Sequence, residues 1–505
     1  MKNKFKKLGA IVLASALALS LVACGDKKTG GSTGGAGNAG TGTDAASLNP
    51  TGEEIIIRIL ENDTAKKEGY FEALLEAFNK EYAQYNIKAV DADMDEFTDL
   101  ATNGPYGYGP DIIYQANDVL MRFAADKHIL PLTLSDFECT QYVPEDAFDA
   151  FKITFDDKVY TCGIPVNIQE PMLFYRKDKL PENWESNWDK DGNKTPDFLE
   201  NWNDLYAFSK ELRDGDTSAN KDSQYGLMLS YNDLYMNGEF FFSYGAYIFE
   251  NNDGIYDTTK IGLGEGNAAK GLFGMRQFAS LMNEGCIDDT ITSNRYEKVA
   301  NGTYFCAVST PDTYILFLNK LALQYADEGL SEEEAMNKAK ENLVMTEIPS
   351  KMPADGDFAK SSANLSDSDY VNSVVMGGVN GYGISAYTKY KEVCVAFVNF
   401  ATSYDMVSLR ADMLGIAPTR SDVAKAKGET TEKIFTSLAE GRIYLMPSVK
   451  ELNQVWTPAH TFLSDVAKDA FRSEAEQKFK SVEDMKKALD DVSKQVYDAI
   501  YTLAK

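Results

Sequence analysis

The sequence predicts an α/β protein built from two domains. Strand-like and helix-like patterns alternate at the start of the globular part in the order β-α-β-α-β, which is typical of a parallel sheet. The globular part is about 450 residues long, more than one ordinary hydrophobic core holds, so a second domain is expected. Short polar segments follow the predicted strands, and in an open α/β sheet such segments face the ligand crevice.

The first 52 residues are predicted to lie outside the fold. Residues 1–23 have a basic start and a long apolar stretch, which is typical of a secretory signal. The ending Leu21-Val22-Ala23-Cys24 resembles a lipobox, which implies cleavage before Cys24 and a lipid on its thiol. The alternative is an ordinary signal peptide with a chance cysteine. Residues 24–52 are rich in Gly, Ser, Thr and Ala, which is typical of a flexible tether.

Two strand-to-loop junctions supply the first candidate binding residues. A buried strand is predicted at 55–60, and a second strand at 111–114 follows a helix at 71–82 and a strand at 87–90. Asn117 or Asp118 is predicted to cap the helix after the second junction. The plain interpretation is an ordinary capped turn at each junction. The other interpretation makes Gln115, Asn117 and Asp118 contacts of a small polar ligand. Asn62 and Asp63 follow the first strand in the same way.

Residues 189–200 carry the spacing of a calcium-binding loop. Oxygen ligands at loop positions 1, 3, 5, 7, 9 and 12 are typical of an EF-hand. Lys194 departs from this pattern at position 6, where Gly normally supplies a positive φ. The sequence predicts a structural Ca²⁺ site here, and a solvated acidic turn is the alternative. The predicted ligands are Asp189, Asp191, Asn193, Thr195 through its carbonyl, Asp197 and Glu200.

Charge and cysteine usage exclude several classes of protein. The net charge of −27 at pH 7 argues against a nucleic-acid-binding protein, which needs basic surface. The cysteines other than Cys24 are scattered, without the spacing of a zinc site, and are predicted to be mostly small buried residues. A disulfide between Cys139 and Cys162 stays open at this point. The two histidines, His128 and His460, form no recognisable nucleophile arrangement with a Ser or Cys.

Four short motifs resemble one known family. They are Leu-Val-Ala-Cys at 21–24, Gly-Pro-Asp-Ile-Ile at 109–113 with Asp118 beyond it, Asn-Asp-Leu-Tyr at 232–235, and a Met-Pro at 446–447 followed by Trp456. Together they resemble the bacterial extracellular solute-binding proteins of the carbohydrate, or maltose/maltodextrin-binding, branch. The resemblance runs discontinuously over nearly all of 53–505.

The resemblance implies a two-lobe periplasmic-binding-protein-like fold with hinge crossings and a ligand cleft between the lobes. The first lobe would comprise 53–168 and 344–401, and the second 169–343 and 402–505, with a third crossing near Thr402. Gln169 or Glu170 would supply a sugar-binding side chain at the first crossing. In the second lobe, Asp233 and Tyr235 would contact sugar, and Trp456 would stack on a pyranose ring. Asp312 would be a further ligand contact, at a position where the family has a Trp in place of the acid. In the first lobe, the loops of Asn62-Asp63 and of Gln115–Asp118 correspond to loops that hydrogen-bond sugar hydroxyls in the family.

The implied function is capture of an oligosaccharide, maltodextrin-like by this resemblance, and its delivery to the permease subunits of an ABC importer. The protein would be a monomer anchored by lipid to the extracytoplasmic face of the membrane, without enzymatic activity and without a cofactor for function. Two alternatives stay open. One is a binding protein for a non-sugar solute, and the other is a glycoside hydrolase, which also needs carboxylates and aromatic platforms.

Overall fold

The structure is a computed structural model that describes residues 48–96, 100–155, 158–252, 255–284 and 294–502. The predicted signal, Cys24 and nearly all of the predicted tether lie outside these ranges. Within them, no helix combines the length and the apolar composition needed to cross a bilayer.

The strands alternate with helices in the first part of the chain and are interspersed among longer helices after it. The strands are β1 (Ile55–Leu60), β2 (Ile87–Asp91), β3 (Ile112–Ala116), β4 (Lys152–Phe155), β5 (Lys158–Thr161), β6 (Ile164–Gln169), β7 (Met172–Arg176), β8 (Tyr225–Met228), β9 (Phe249–Asn252), β10 (Ile255–Ile261), β11 (Tyr304–Ser309), β12 (Leu343–Glu347), β13 (Lys351–Pro353), β14 (Tyr370–Asn372), β15 (Val375–Ile384), β16 (Ala417–Pro418) and β17 (Ile443–Leu445).

The helices place apolar faces against the sheets and against one another. They are α1 (Asp63–Lys67), α2 (Tyr70–Tyr82), α3 (Leu100–Asn103), α4 (Asn117–Ala125), α5 (Glu145–Asp149), α6 (Trp184–Asn187), α7 (Trp202–Gly215), α8 (Glu239–Phe242), α9 (Ala268–Ala279), α10 (Arg295–Ala300), α11 (Tyr314–Asp327), α12 (Glu332–Asn342), α13 (Lys391–Ala401), α14 (Tyr404–Leu414), α15 (Ser421–Lys427), α16 (Glu429–Ala439), α17 (Trp456–Asp469) and α18 (Val482–Tyr501).

A seven-stranded sheet forms the first lobe, in the order β16-β6-β15-β3-β1-β2 with β17 beside β15. The strands β2, β1 and β3 are parallel, as the alternating pattern predicts. The strand β15 runs antiparallel to both β3 and β6. The carboxyl ends of β1, β2, β3 and β6 therefore meet at one edge of this sheet.

A four-stranded sheet, in the order β12-β7-β11-β8, forms the second lobe. The strand β7 is antiparallel to β11 and β12, and its first residue, Met172, pairs with Ser309 and Glu347 at their ends. The strand β8 is parallel to β11. The segments that follow β8, β11 and β12 consequently lie on the side of this sheet where the chain enters from the first lobe.

The chain passes from the seven-stranded to the four-stranded sheet at Glu170-Pro171, between β6 and β7, where the first crossing is predicted. It returns between β12 and β15, by way of the β13–β14 hairpin. A third crossing is expected near Thr402, but α14 and β16 still belong to the first lobe. The reason is tertiary: Arg410 of α14 is paired with Glu61, and β16 pairs with β6. The return to the second lobe follows β17, since α17 packs on α9.

Two local expectations are corrected by the structure. The helix α4 begins after Ala116, so neither Asn117 nor Asp118 is its N-cap. The Asn117 side chain is used instead in long-range contacts, because it donates to the carbonyl of Met446 at 3.1 Å and accepts from the amide of Val379 at 3.2 Å. Cys139 and Cys162 are separate buried thiols and form no disulfide with each other.

Candidate functional site

The first-lobe side of the candidate site is built at the ends of β1, β2 and β3. Asn62 follows β1 and caps α1, since its Oδ1 accepts from the amide of Ala65 at 2.8 Å. The amide of Asp63 donates to a carboxylate oxygen of Glu96 at 2.7 Å. The side chain of Gln115 donates to the carbonyl of Glu96 at 2.8 Å. Glu96 therefore links the two junctions that the sequence singled out.

Asp118 lies in the first turn of α4, half-buried, where the N-terminus of a helix favours a negative charge. Burial raises the pKa of its carboxyl above the ordinary value. The nearby amide of Val119 and the charge of Arg122 act in the opposite direction. This carboxyl is thus held in a partly dry setting at the start of α4.

Gln169, Asp312 and Tyr235 join the two lobes at the floor of the site. The Gln169 amide nitrogen donates to an Asp312 carboxylate oxygen at 2.8 Å. The Tyr235 hydroxyl donates to the Gln169 carbonyl at 2.8 Å. Burial raises the pKa of the Tyr235 phenol well above its usual value, and four nearby carboxylates raise it further: Glu170, Asp312, Asp233 and Asp118. Carboxylates from both lobes thus converge on Tyr235.

The second-lobe wall carries an aromatic ring beside an acid. Trp456 is the first residue of α17 and is half-buried. Its ring lies 5.9 Å from the ring of His460, centroid to centroid, one turn along the helix. His460 Nε2 lies 3.7 Å from a carboxylate oxygen of Asp233. The same Asp233 oxygen accepts from the amide of Tyr235 at 2.8 Å, which fixes the orientation of the carboxylate.

Glu170 differs from the other candidate residues in its exposure. Its side chain is 3 % exposed and lies in the crossing between the lobes. Gln169 is the neighbour that reaches across to Asp312, so of the two residues that the sequence left open, Gln169 is the one with its amide at the site.

The calcium-type loop brings three of its six predicted ligands together. Single carboxylate oxygens of Asp191, Asp197 and Glu200 lie within 4.8 Å of one another. Lys194 adopts φ of +68°, so the turn that normally uses Gly forms here with Lys. The remaining predicted ligands act within the loop: Asp189 accepts from the amide of Lys194 at 3.4 Å, and Asn193 accepts from the amide of Thr195 at 2.7 Å.

Two residues of the candidate site were missed by sequence reasoning. Glu96 follows β2, so the rule that applies to the ends of parallel strands also points to this residue. His460 stands four residues after Trp456, a spacing that places two side chains on the same helix face. Neither signal is strong without the fold, because carboxylates after strands and residues at helical spacing are common.

The comparisons with known proteins place the chain in a family. Residues 73–436 match the family model described as bacterial extracellular solute-binding protein. The chain is 24 % identical over 468 residues to the galactooligosaccharide-binding protein of Bacillus subtilis, covering 92 % of each chain. It is 23 % identical over 472 residues to the maltodextrin-binding protein MdxE of Bacillus subtilis, covering 92 % of this chain and 93 % of that one.

The fold has solved counterparts. The crystal structure of the maltose-binding periplasmic protein MalE from Listeria monocytogenes in complex with maltose matches with a TM-score of 0.63 and 18 % identity, covering 89 % of this chain and 99 % of that chain. This likeness confirms the α/β fold of two lobes. From the family match over residues 73–436, we conclude that the chain belongs to the bacterial extracellular solute-binding proteins.

Proposed function

We propose that the protein is an extracytoplasmic, non-enzymatic receptor that binds an oligosaccharide, maltodextrin-like by its motifs, and passes it to an ABC importer. One observation carries the proposal. Candidate site residues of the two lobes are in direct contact: the Gln169 side chain donates to Asp312 at 2.8 Å, and the Tyr235 hydroxyl donates to the Gln169 carbonyl at 2.8 Å. The names of the two Bacillus subtilis relatives, which refer to galactooligosaccharides and maltodextrins, support this class of ligand.

The mechanism would be closure of the lobes about the crossings. A ligand that contacts both lobes binds one arrangement of the lobes better than another, and it shifts the population toward that arrangement. Carboxylates and amides would hold the sugar hydroxyls, while Trp456 would cover an apolar ring face. In the proposed division, the crossings separate a first lobe built on the seven-stranded sheet from a second lobe built on the four-stranded sheet.

Calorimetric titration with malto-, galacto- and xylo-oligosaccharides tests the proposal directly. We expect at least one of these series to bind and to change the intrinsic fluorescence of the protein. The same samples, analysed afterwards for shorter sugars, test for hydrolysis, and none is expected. Binding of a peptide or polyamine with no binding of any oligosaccharide would replace the proposed ligand, and released sugar would replace the proposed class.

We also propose that Cys24 is the lipid-bearing N-terminal residue of the mature protein. The basic start, the apolar stretch and the ending Leu-Val-Ala-Cys support it. Replacing Cys24 with Ala is expected to release the protein into the medium or leave it unprocessed, because the acyl-accepting thiol is gone. Membrane fractionation and the mass of the N-terminal peptide measure this. Retention and processing identical to the unaltered protein would contradict it.

We further propose that residues 189–200 bind a structural Ca²⁺. The grouping of Asp191, Asp197 and Glu200 and the positive φ of Lys194 support it. An ion that binds only the folded state stabilises it by mass action. A chelator is therefore expected to lower the Tm of the calcium-loaded protein, and Glu200→Ala should remove this sensitivity.

The control for the calcium prediction is Asp214→Ala, which removes a fully exposed carboxylate outside the loop and should leave the chelator effect intact. Direct titration of chelator-treated protein with Ca²⁺ in a calorimeter provides the second measurement. A Tm that does not respond to chelator, in protein shown by elemental analysis to contain calcium, would contradict the proposal.

A further inference from the structure

A small cavity lies between the two crossings of the chain. It has a volume of about 20 Å³, enough for a single water molecule. Its walls come from the first crossing, from the return crossing, and from α16 with the segment that joins it to β17. The lining includes the polar side chains of Glu170, Glu347, Ser437 and Arg442. Any rotation of one lobe against the other moves these walls relative to each other.

Glu170 is the buried acid of this cavity. The one arginine in the lining is already engaged, since Arg442 donates to Glu347 at 3.1 Å and to Glu440 at 2.9 Å. Ser437 also donates to Glu347. The positive charge near Glu170 is therefore shared with two other carboxylates. The pKa of Glu170 is raised to about 8; burial is the largest cause, the charge of Glu347 acts in the same direction, and the charge of Arg442 opposes both.

The cavity adjoins the ligand site through one peptide unit. The residue before Glu170 is Gln169, which binds Asp312 through its side chain and Tyr235 through its carbonyl. Among the carboxylates that raise the pKa of Tyr235, Glu170 has the largest effect. The charged groups that act on Glu170 are thus Glu347 and Arg442. Tyr235, on the other side, carries a phenol whose pKa is raised well above its usual value, so it is neutral.

We propose that Glu170 is a further determinant of ligand affinity, acting through the hinge. Protonated, it favours the arrangement in which Gln169 contacts Asp312 and Tyr235, which we assign as the ligand-binding one. Ionised, it favours an arrangement that opens the crossing to water. The proposal rests on ligand binding by lobe closure, the proposed function. In this role Glu170 does not contact the ligand. It positions Gln169 and stabilises one arrangement of the lobes.

The direction of the pH effect follows from linkage. A carboxyl with a raised pKa in the ligand-binding arrangement takes up a proton when that arrangement forms. Affinity is therefore highest at acidic pH, falls as the pH rises from 4.5, the ordinary value for Glu, toward about 8, and levels off above it. The limiting slope for one group that becomes fully wet in the other arrangement is about tenfold per pH unit.

The test measures affinity for the tightest oligosaccharide of the panel between about pH 5.5 and pH 9, in the unaltered protein and in Glu170→Gln, which mimics the protonated side chain. We expect the affinity of the unaltered protein to fall at least about tenfold over this range. The profile of Glu170→Gln should be nearly flat, with tighter binding than the unaltered protein at the alkaline end. Parallel profiles for the two proteins would overturn the proposal.

Two further variants separate the hinge from general stability. Glu347→Gln removes the like charge and frees Arg442, so it should move the loss of affinity to lower pH. An unshifted profile would show that the titrating group is not Glu170. Glu239→Gln is the matched control: burial also raises the pKa of Glu239 to about 8, yet this residue does not line the cavity. Glu239→Gln should show the same pH dependence of affinity as the unaltered protein. An affinity that does not change with pH in this variant would also overturn the proposal.

A measurement without sugar keeps the proposal independent of ligand identity. Hydrogen–deuterium exchange of the amides in β6, β7 and β12 is compared between the unaltered protein and Glu170→Gln at a single alkaline pH. Slower exchange at both ends of the crossing is expected in Glu170→Gln. Equal exchange would reject the hinge role of Glu170, whereas absence of oligosaccharide binding with slower exchange would reject only the proposed function.

Discussion

Arg410→Met is expected to destabilise the protein by about 3–5 kcal/mol, because it leaves the buried carboxylate of Glu61 without its cation. Both side chains are essentially inaccessible, at 1 % and 0 % exposure. Arg410 donates to the two Glu61 oxygens at 2.8 and 3.1 Å, and its guanidinium lies 3.7 Å from the centroid of the Tyr114 ring. Urea denaturation followed by circular dichroism measures the change.

The controls for Arg410 distinguish a lost partner from a lost side chain. Lys210→Met removes an exposed ion pair with Asp214 and should leave the stability nearly unchanged. The double change Glu61→Met with Arg410→Met replaces both charges by apolar groups and should cost much less than the two single changes together. A loss below about 1 kcal/mol for Arg410→Met alone would contradict the prediction.

The same pair also orders the start of the candidate loop, because Glu61 directly precedes it. A Glu61 oxygen accepts from the amide of Asn62 at 3.0 Å, and Asn62 in turn caps α1. Tyr382 also donates to Glu61, at 2.9 Å. The buried pair therefore fixes the position of Asp63, whose amide donates to Glu96 at the candidate site.

Trp456→Ala is expected to weaken oligosaccharide binding by about 1–3 kcal/mol, or about 5- to 150-fold, while leaving the Tm of the ligand-free protein nearly unchanged. The reason is that Trp456 is half-buried at the start of α17. Its truncation removes a stacking surface for a pyranose ring and leaves the core intact. Asp118→Ala, at the opposite wall, should cost about 1–3 kcal/mol of binding, since a hydroxyl loses its acceptor in a closed cleft.

Trp202→Ala is the matched control for Trp456→Ala. Trp202 is fully buried, and its ring packs edge-on against Phe240 and Phe278 at 5.4 Å. Its truncation should cost about 3–5 kcal/mol of stability. Calorimetric affinity and the Tm without ligand are measured for both variants. A Trp456→Ala protein that loses stability and keeps its affinity would make Trp456 a core residue and remove it from the site.

The sequence by itself determined the architecture and the places where polar groups meet. Strand and helix periodicity predicted β1, α2 and β2 closely, because a buried face imposes its spacing on the residues that form it. The order of these elements predicted the parallel arrangement of β1, β2 and β3, and hence the edge at which Asp63 and Gln115 lie. Motif resemblance predicted the family, which is confirmed.

Only the tertiary structure decided which polar side chains make buried contacts inside the protein and which lie at the candidate site. Asn117 is of a residue type that often caps a helix, yet its side chain hydrogen-bonds to Met446 and Val379, which lie far away in the chain. The pairing of Glu61 with Arg410 keeps α14 on the first lobe, 349 residues along the chain from its partner. Glu170 and Gln169 are adjacent in sequence, but one is sealed in the hinge and the other spans the lobes. Local pattern cannot separate such cases, because burial of a polar group depends on partners that the fold alone brings within reach.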